Sequence, residues 1–197
     1  MLRGGVSKMR ILPEETCGIC IDMQEKLLPA MYNCKGVLHR TEFLLKGLRL
    51  FGIPVIISQQ YTKGLGASVE EIYEAAGTRD FMDKRAFSCC QDEKIMEKFL
   101  TLGRRNVVVM GCETHVCVLQ TCLDLKAAGF TPIIALDAVT SERKDDMDAA
   151  IIRAQQEGVL ITSSEAILFE LCGDSAGPKF KEFSNLVKEK NKMIAQD

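Results

Sequence analysis

The stretch GCETHVCVLQ (111–120) gathers two cysteines and a histidine where an apolar run gives way to a helical pattern. A thiol at a helix start suits nucleophilic attack, because unpaired amides and the positive dipole end lower its pKa. The same amides could cradle an oxyanion formed on a carbonyl. Cys117 stands about one turn into the expected helix, with Thr114 in the N-cap position. A zinc site would draw on Cys112, His115 and Cys117. Such a site needs four ligands, however, and no second pair follows at finger-like spacing. Packing is the third reading, since free cysteine is among the most buried residue types. His115 fits a hydrogen-bonded structural group better than a base. Taken alone, the stretch leaves catalysis and packing both open.

A nucleophilic thiol needs a group that takes its proton and returns it. Asp22 follows the apolar run CGICI (17–21) directly, at the carboxyl end of an expected strand. Lys84, in FMDKRAFSCC (81–90), could orient that carboxylate and stabilise negative charge in the transition state. Read singly, Asp22 and Lys84 are equally ordinary charges at a strand end or on the surface.

These residues must be positioned by an alternation of short apolar runs and amphipathic segments. Strands are predicted at 17–21, 53–58, 106–111, 131–138 and 159–163, with a very short sixth near 86–88. Helices are predicted through 37–51, 68–77, 92–103, 115–129 and 144–158, and helical sequence continues toward the C-terminus. Strands apolar on both faces, alternating with helices, predict an α/β fold. The expectation is a doubly wound, mainly parallel six-stranded sheet with helices on both faces, a Rossmann-type three-layer sandwich. Ligands then bind beyond the carboxyl ends of the strands, among Asp22, residues 58–60, residues 111–113 and Asp137. With no repeat or linker, 1–197 reads as one domain, its core at about 14–172 followed by a helical extension.

Composition narrows the function classes. A net charge of −2, with no stripe of basic and aromatic residues, gives no reason to expect nucleic-acid binding. No apolar run approaches the ~20 residues of a membrane span. The basic start, MLRGGVSKMR, is too short and too poor in apolar residues for a secretory signal. The nine cysteines are odd in number and fall partly inside apolar strands, which predicts free thiols and a cytoplasmic location. Cys17 and Cys20 form a C-x-x-C, but odd separation in a strand points them to opposite faces. The spacing for a P-loop or a dinucleotide fingerprint is missing, and no cofactor is expected.

In this order, ICIDMQ (19–24), DKRAFS (83–88) and GCETHVCVLQT (111–121) resemble the three signatures of the isochorismatase-like cysteine hydrolases. That family includes nicotinamidases and N-carbamoylsarcosine amidohydrolases, and the resemblance spans roughly residues 16 to 170. It implies Asp22 as general base and acid, Lys84 as its charged partner and Cys117 as nucleophile. It also implies a cis peptide at Cys112–Glu113 and an oxyanion hole built from the backbone N–H groups of Glu113 and Cys117. Nicotinamidases bind a metal through an aspartate and histidines after the second strand. Here that place reads SQQYTKGLG (58–66), so no metal is expected. True isochorismatases lack the cysteine. Gln24, Gln59, Gln60, Tyr61 and Phe87 are the candidate lining of the substrate pocket.

The function expected from all this is a metal-independent cysteine hydrolase acting on a small amide or related C–N bond through a thioester. Its expected partners are a small-molecule substrate and further copies of itself, a homo-oligomer being common in the family. The alternative is a protein that keeps the fold and site for binding, scaffolding or thiol redox chemistry and turns over little.

Overall fold

The computed structural model describes residues 10–194, so nearly all of the basic N-terminal start lies outside the described residues. In chain order the elements begin with β1 (Thr16–Ile21), α1 (Cys34–Phe51), β2 (Val55–Gln60), the short α2 (Thr62–Leu65) and α3 (Glu70–Ala76). Then come β3 (Met82–Lys84), α4 (Glu93–Leu102), β4 (Asn106–Cys112), α5 (Leu119–Ala127) and β5 (Thr131–Thr140). Last are α6 (Lys144–Gln156), β6 (Leu160–Thr162), α7 (Ser164–Cys172) and α8 (Phe180–Ile194). The six strands form one sheet in the order β3-β2-β1-β4-β5-β6, and every pairing is parallel.

Strand sequence decides which core each residue enters. In β1, Cys17, Ile19 and Ile21 pack with Ile95 and Phe99 of α4, Leu125 of α5 and Ala150 of α6. Cys20 faces the other way, onto Leu44 and Leu48 of α1, Ile72 of α3, Leu168 of α7 and Phe183 of α8. Cys17 and Cys20 therefore lie on opposite sides of the sheet, and both thiols are free. Burying apolar side chains on both faces supplies the driving force for this sandwich, at roughly 25 cal/mol per Å² of apolar surface. Local signals set the element ends. Asp92 caps α4 by accepting from the Lys94 and Ile95 amides, and Gly103 stops it with φ 60°.

Two elements differ from the sequence expectation. The short strand pairs at 82–84, not 86–88, with Gln60 in register with Lys84. Its residues Met, Asp and Lys carry no apolar alternation, because the inward position is occupied by a lysine with an ionic partner. The helix expected from 115 begins instead with a π-turn, Thr114–Val118, in which the Leu119 amide reaches back to the Thr114 carbonyl. Glu113 and not Thr114 precedes that turn, and the buried Thr114 hydroxyl has no hydrogen-bond partner among the described residues.

The ends of β1 and β4 meet closely. Gly111 adopts φ +115°, and a Cβ there would stand 2.0 Å from the Ile21 carbonyl oxygen. Backbone cannot yield as a flexible side chain can. Gly111→Ala should therefore lower the unfolding free energy by about 3 kcal/mol or more in urea titrations. Gly103→Ala, also at positive φ but with nothing within 4 Å, should cost about 1 kcal/mol. A Gly111→Ala protein as stable as the parent would contradict the close approach.

Candidate active site

Asp22 leaves β1 with φ 53°, a left-handed conformation that aspartate tolerates better than most residues. Three backbone contacts hold it there. Its amide donates to the Ser58 carbonyl at 3.2 Å, and its own carbonyl accepts from the Gln24 amide at 2.8 Å. That same oxygen accepts from the Cys112 thiol at 3.2 Å. The register Ile21↔Ser58 brings Ser58 alongside, and its hydroxyl donates to Asp22 Oδ1 at 2.9 Å. The other carboxylate oxygen, Oδ2, accepts from Lys84 Nζ at 2.7 Å.

Lys84 reaches inward from the edge strand β3, and its side chain, like that of Asp22, is fully buried. Besides Asp22, its ammonium meets Gln60 Oε1 at 2.7 Å and the carbonyls of Phe87 and Ala86 at 3.1 and 3.3 Å. Cys117 Sγ lies 3.6 Å from the same nitrogen. Burial opposes the ammonium charge, but the Asp22 carboxylate and the thiols of Cys89 and Cys117 outweigh it, so the Lys84 pKa is raised. Lys84 stays charged at neutral pH.

Cys117 lies in the π-turn with 6% of its surface exposed. Its pKa is pushed up to about 12, first by burial and then by the negative charge of Asp22, with Lys84 opposing in part. The thiol's hydrogen bond to Asp22 adds to the rise. This corrects the sequence expectation of an acidified thiol. A helix start lowers a thiol's pKa, but here burial of the sulfur, and after it the carboxylate beside it, act more strongly. Immediately upstream, the Cys112–Glu113 peptide is cis. The Glu113 carbonyl accepts from the Val116 and Val118 amides at 3.1 Å, which ties the turn to the end of β4.

The candidate lining divides. Gln24 and Gln59 are fully buried and their side chains serve the protein. Gln24 accepts from the Gln60 amide and donates to the carbonyls of Gln60 and Gly66. Gln59 lies on the opposite face of β2 from Ser58, donating to Ser68 Oγ and Tyr73 OH and accepting from the Thr62 hydroxyl. Neither has a free group for a substrate, because side chains alternate along a strand and the loop needs both amides. Gln60 belongs to the Lys84 cluster, whereas Tyr61 and Phe87 are exposed at its margin. Asp137, expected near the site, instead accepts from the amide and hydroxyl of Ser164 at the start of α7. His115 Nδ1 pairs with Ser141 Oγ at 2.9 Å.

The sequence placed Ser58 among the strand ends around the site without its role, and it did not single out Cys89. Ser58 holds Asp22, and Cys89 Sγ stands 3.6 Å from Ser58 Oγ. The parallel pairing of the two apolar runs that precede Asp22 and Ser58 was the available signal for Ser58. For Cys89 there was none. Among the described residues, no group of three or more His, Cys, Asp or Glu could hold a metal ion.

The isochorismatase domain matches this chain over residues 16–166. The chain belongs to the isochorismatase family. It is 40% identical over 178 residues to isochorismatase domain-containing protein 1 of Salmo salar, covering 90% of this chain and 62% of that protein. It therefore spans less than two thirds of the length of that relative. The secreted isochorismatase effector Isc1 of Phytophthora sojae is 36% identical over 190 residues, covering 93% and 90% of the two chains. Among solved structures, the MAR1 ribonuclease of Caenorhabditis elegans superposes with a TM-score of 0.85 at 34% identity, covering 91% of this chain and 92% of that one. The α/β sheet with helices on both faces is thus an isochorismatase fold.

Since Asp22 raises the Cys117 pKa and Lys84 lowers it, Asp22→Asn should make the thiol more acidic. The variant should pair a Cys117 thiolate with the Lys84 ammonium. Thiolate absorbance at ~240 nm should appear at lower pH than in the parent, and iodoacetamide should alkylate Cys117 about tenfold faster at pH 8. Slower alkylation than in the parent would contradict the electrostatic account.

Proposed function

We propose that this protein is a cysteine hydrolase that cleaves a small amide or a related C–N bond without a metal. The carrying observation is that one buried ammonium, Lys84 Nζ, touches both Asp22 Oδ2 at 2.7 Å and Cys117 Sγ at 3.6 Å. Carboxylate, ammonium and thiol are then within reach of one bound carbonyl.

With a thiol pKa near 12, the resting sulfur is protonated at neutral pH. Asp22 takes its proton in step with attack of sulfur on the carbonyl carbon. The backbone N–H groups of Glu113 and Cys117 receive the oxyanion. Asp22 then delivers that proton to the departing nitrogen, the C–N bond breaks, and an acyl thioester remains on Cys117. Water adds to the thioester with Asp22 again as base, and the carboxylic acid leaves as the thiol recovers its proton. Lys84 holds and aims one carboxylate oxygen of Asp22, and Ser58 fixes the other.

The metal-free reading is supported by the donors where a nicotinamidase has its ligands. Gln59 and Gln60 are carboxamides already engaged by Tyr73, Ser68, Lys84 and the Arg85 carbonyl. Nine free cysteines support a reducing, cytoplasmic setting, although one relative is a secreted effector. Among the described residues no helix is long and apolar enough to cross a membrane. RNA cleavage, suggested by the MAR1 ribonuclease relative, finds little support in a chain of net charge −2. The raised thiol pKa is what favours the second reading, a site kept for binding, scaffolding or redox chemistry with little turnover.

On any small amide that the parent hydrolyses, Cys117→Ala and Asp22→Asn should each lower kcat by about a thousandfold or more, with unchanged far-UV circular dichroism. Ser58→Ala should lower it about tenfold. Parental rates in the Cys117 or Asp22 variant would sink the hydrolase reading.

A further inference from the structure

The segment YTKG (61–64) lies beside the site, yet the proposed reaction does not use it. Tyr61 is left-handed, with φ 41°. Its ring lies so close over Gly64 that a Cβ there would meet ring carbons at 2.5 Å. Against the ring rests the Arg85 guanidinium, 3.8 Å from the ring centroid. Glycine at 64 makes room for the ring, and the ring fixes the plane of the guanidinium by a cation–π contact.

Among the described residues, the guanidinium of this exposed arginine has no hydrogen-bond or ion-pair partner beyond that ring. The neighbouring acid, Asp83, accepts from the amide and hydroxyl of Thr62 at 2.7 and 2.6 Å. Arg85, whose charge acts on Asp83 through space without a direct ion pair, therefore presents a flat, oriented fork of N–H donors, the geometry that binds a carboxylate in bidentate fashion.

The backbone that carries the fork is tied to the reactive cluster. Gln60 accepts from Lys84 Nζ at 2.7 Å and donates to the Arg85 carbonyl at 2.8 Å. With neighbouring strands about 4.8 Å apart, the end of β3 lies about 10 Å from the end of β1. A substrate would need several bonds between its acid and its amide carbonyl to span that distance.

We infer that Arg85, set in place by Tyr61 and Gly64, anchors a carboxylate of the substrate, which is an N-acyl amino acid or a similar amide bearing a remote acid. This assignment rests on the thiol-hydrolase reading, and two measurements keep their failures apart.

The first uses N-iodoacetyl derivatives of glycine, β-alanine, 4-aminobutyrate and 6-aminohexanoate, each beside its neutral methyl amide. The rate of Cys117 alkylation is followed by peptide mass spectrometry. At one chain length the acid should label Cys117 about tenfold faster than its amide. Arg85→Met and Tyr61→Ala should bring that ratio close to one, whereas Tyr61→Phe should preserve it. A ratio that Arg85→Met leaves unchanged at every length overturns the anchor. The second measures equilibrium binding of the matching N-acetyl amino acid to Cys117→Ser protein, which needs no reactive thiol. Adding Arg85→Met should weaken Kd about tenfold, and equal affinity overturns the anchor. Arg85-dependent binding together with a Cys117 that neither reagent labels supports the anchor and overturns the hydrolase reading alone.

Discussion

The site is organised around a salt bridge that water does not reach. Lys84 and Asp22 are both fully buried, so each charge depends on the other for its solvation. Removing one partner of such a pair typically costs about 3–5 kcal/mol, because the other is left unpaired in a low-dielectric interior. The surrounding structure meets that demand with neutral groups. Ser58 takes the second carboxylate oxygen, and Gln60 and the carbonyls of residues 86 and 87 share the ammonium hydrogens. The segment after β3 is curled around Lys84 for this reason, and the same curl carries Arg85 and Phe87 to the margin of the site.

That pair also sets the state of the sulfur. A carboxylate beside a buried thiol holds the proton on sulfur, and an ammonium beside it favours releasing the proton. Burial raises the thiol's pKa most, Asp22 adds to the rise and Lys84 only partly opposes it, so the thiol stays protonated. On the hydrolase reading proposed above, such a thiol is a weak nucleophile until a bound carbonyl and its oxyanion donors make proton transfer to Asp22 favourable. This separates the site from acidic thiols at helix starts, which are reactive without substrate. It also bears on the eight other cysteines, all of them free. Burial raises the pKa of Cys17, Cys20, Cys89, Cys90, Cys112 and Cys122, so these thiols behave as small apolar groups.

Much of the fold was legible because periodicity reports burial. Runs such as NVVVMG are apolar on both faces only when helices cover both sides of a parallel sheet, and the two cores on either side of β1 and β4 are the result. Asp22, Lys84 and Cys117 stood out together through the resemblance of the stretches that carry them to the three family signatures. What escaped notice was governed by tertiary electrostatics and not by pattern. β3 is a strand because Lys84 has an ionic partner inside, so no hydrophobic alternation marks it. The π-turn before α5 arises from an irregular hydrogen-bond pattern with no compositional signal. Gln24 and Gln59 looked like polar pocket lining, yet their amides brace the 60–73 segment from within. Thiol acidity differs from the expectation because the helix start was visible in the sequence, whereas the burial of the sulfur and the carboxylate beside it were not.

The central claim is that Asp22 and Lys84 prepare Cys117 to accept an acyl group from an amide. Rapid-quench intact-mass spectrometry tests it most directly, with the protein mixed against a panel of small amides, including N-acyl amino acids. The account predicts a transient adduct with the mass of the acyl group, located on Cys117, released by hydroxylamine, and rising and decaying at rates compatible with turnover. Turnover that proceeds with no acyl adduct on Cys117, or with the adduct on another residue, would contradict it.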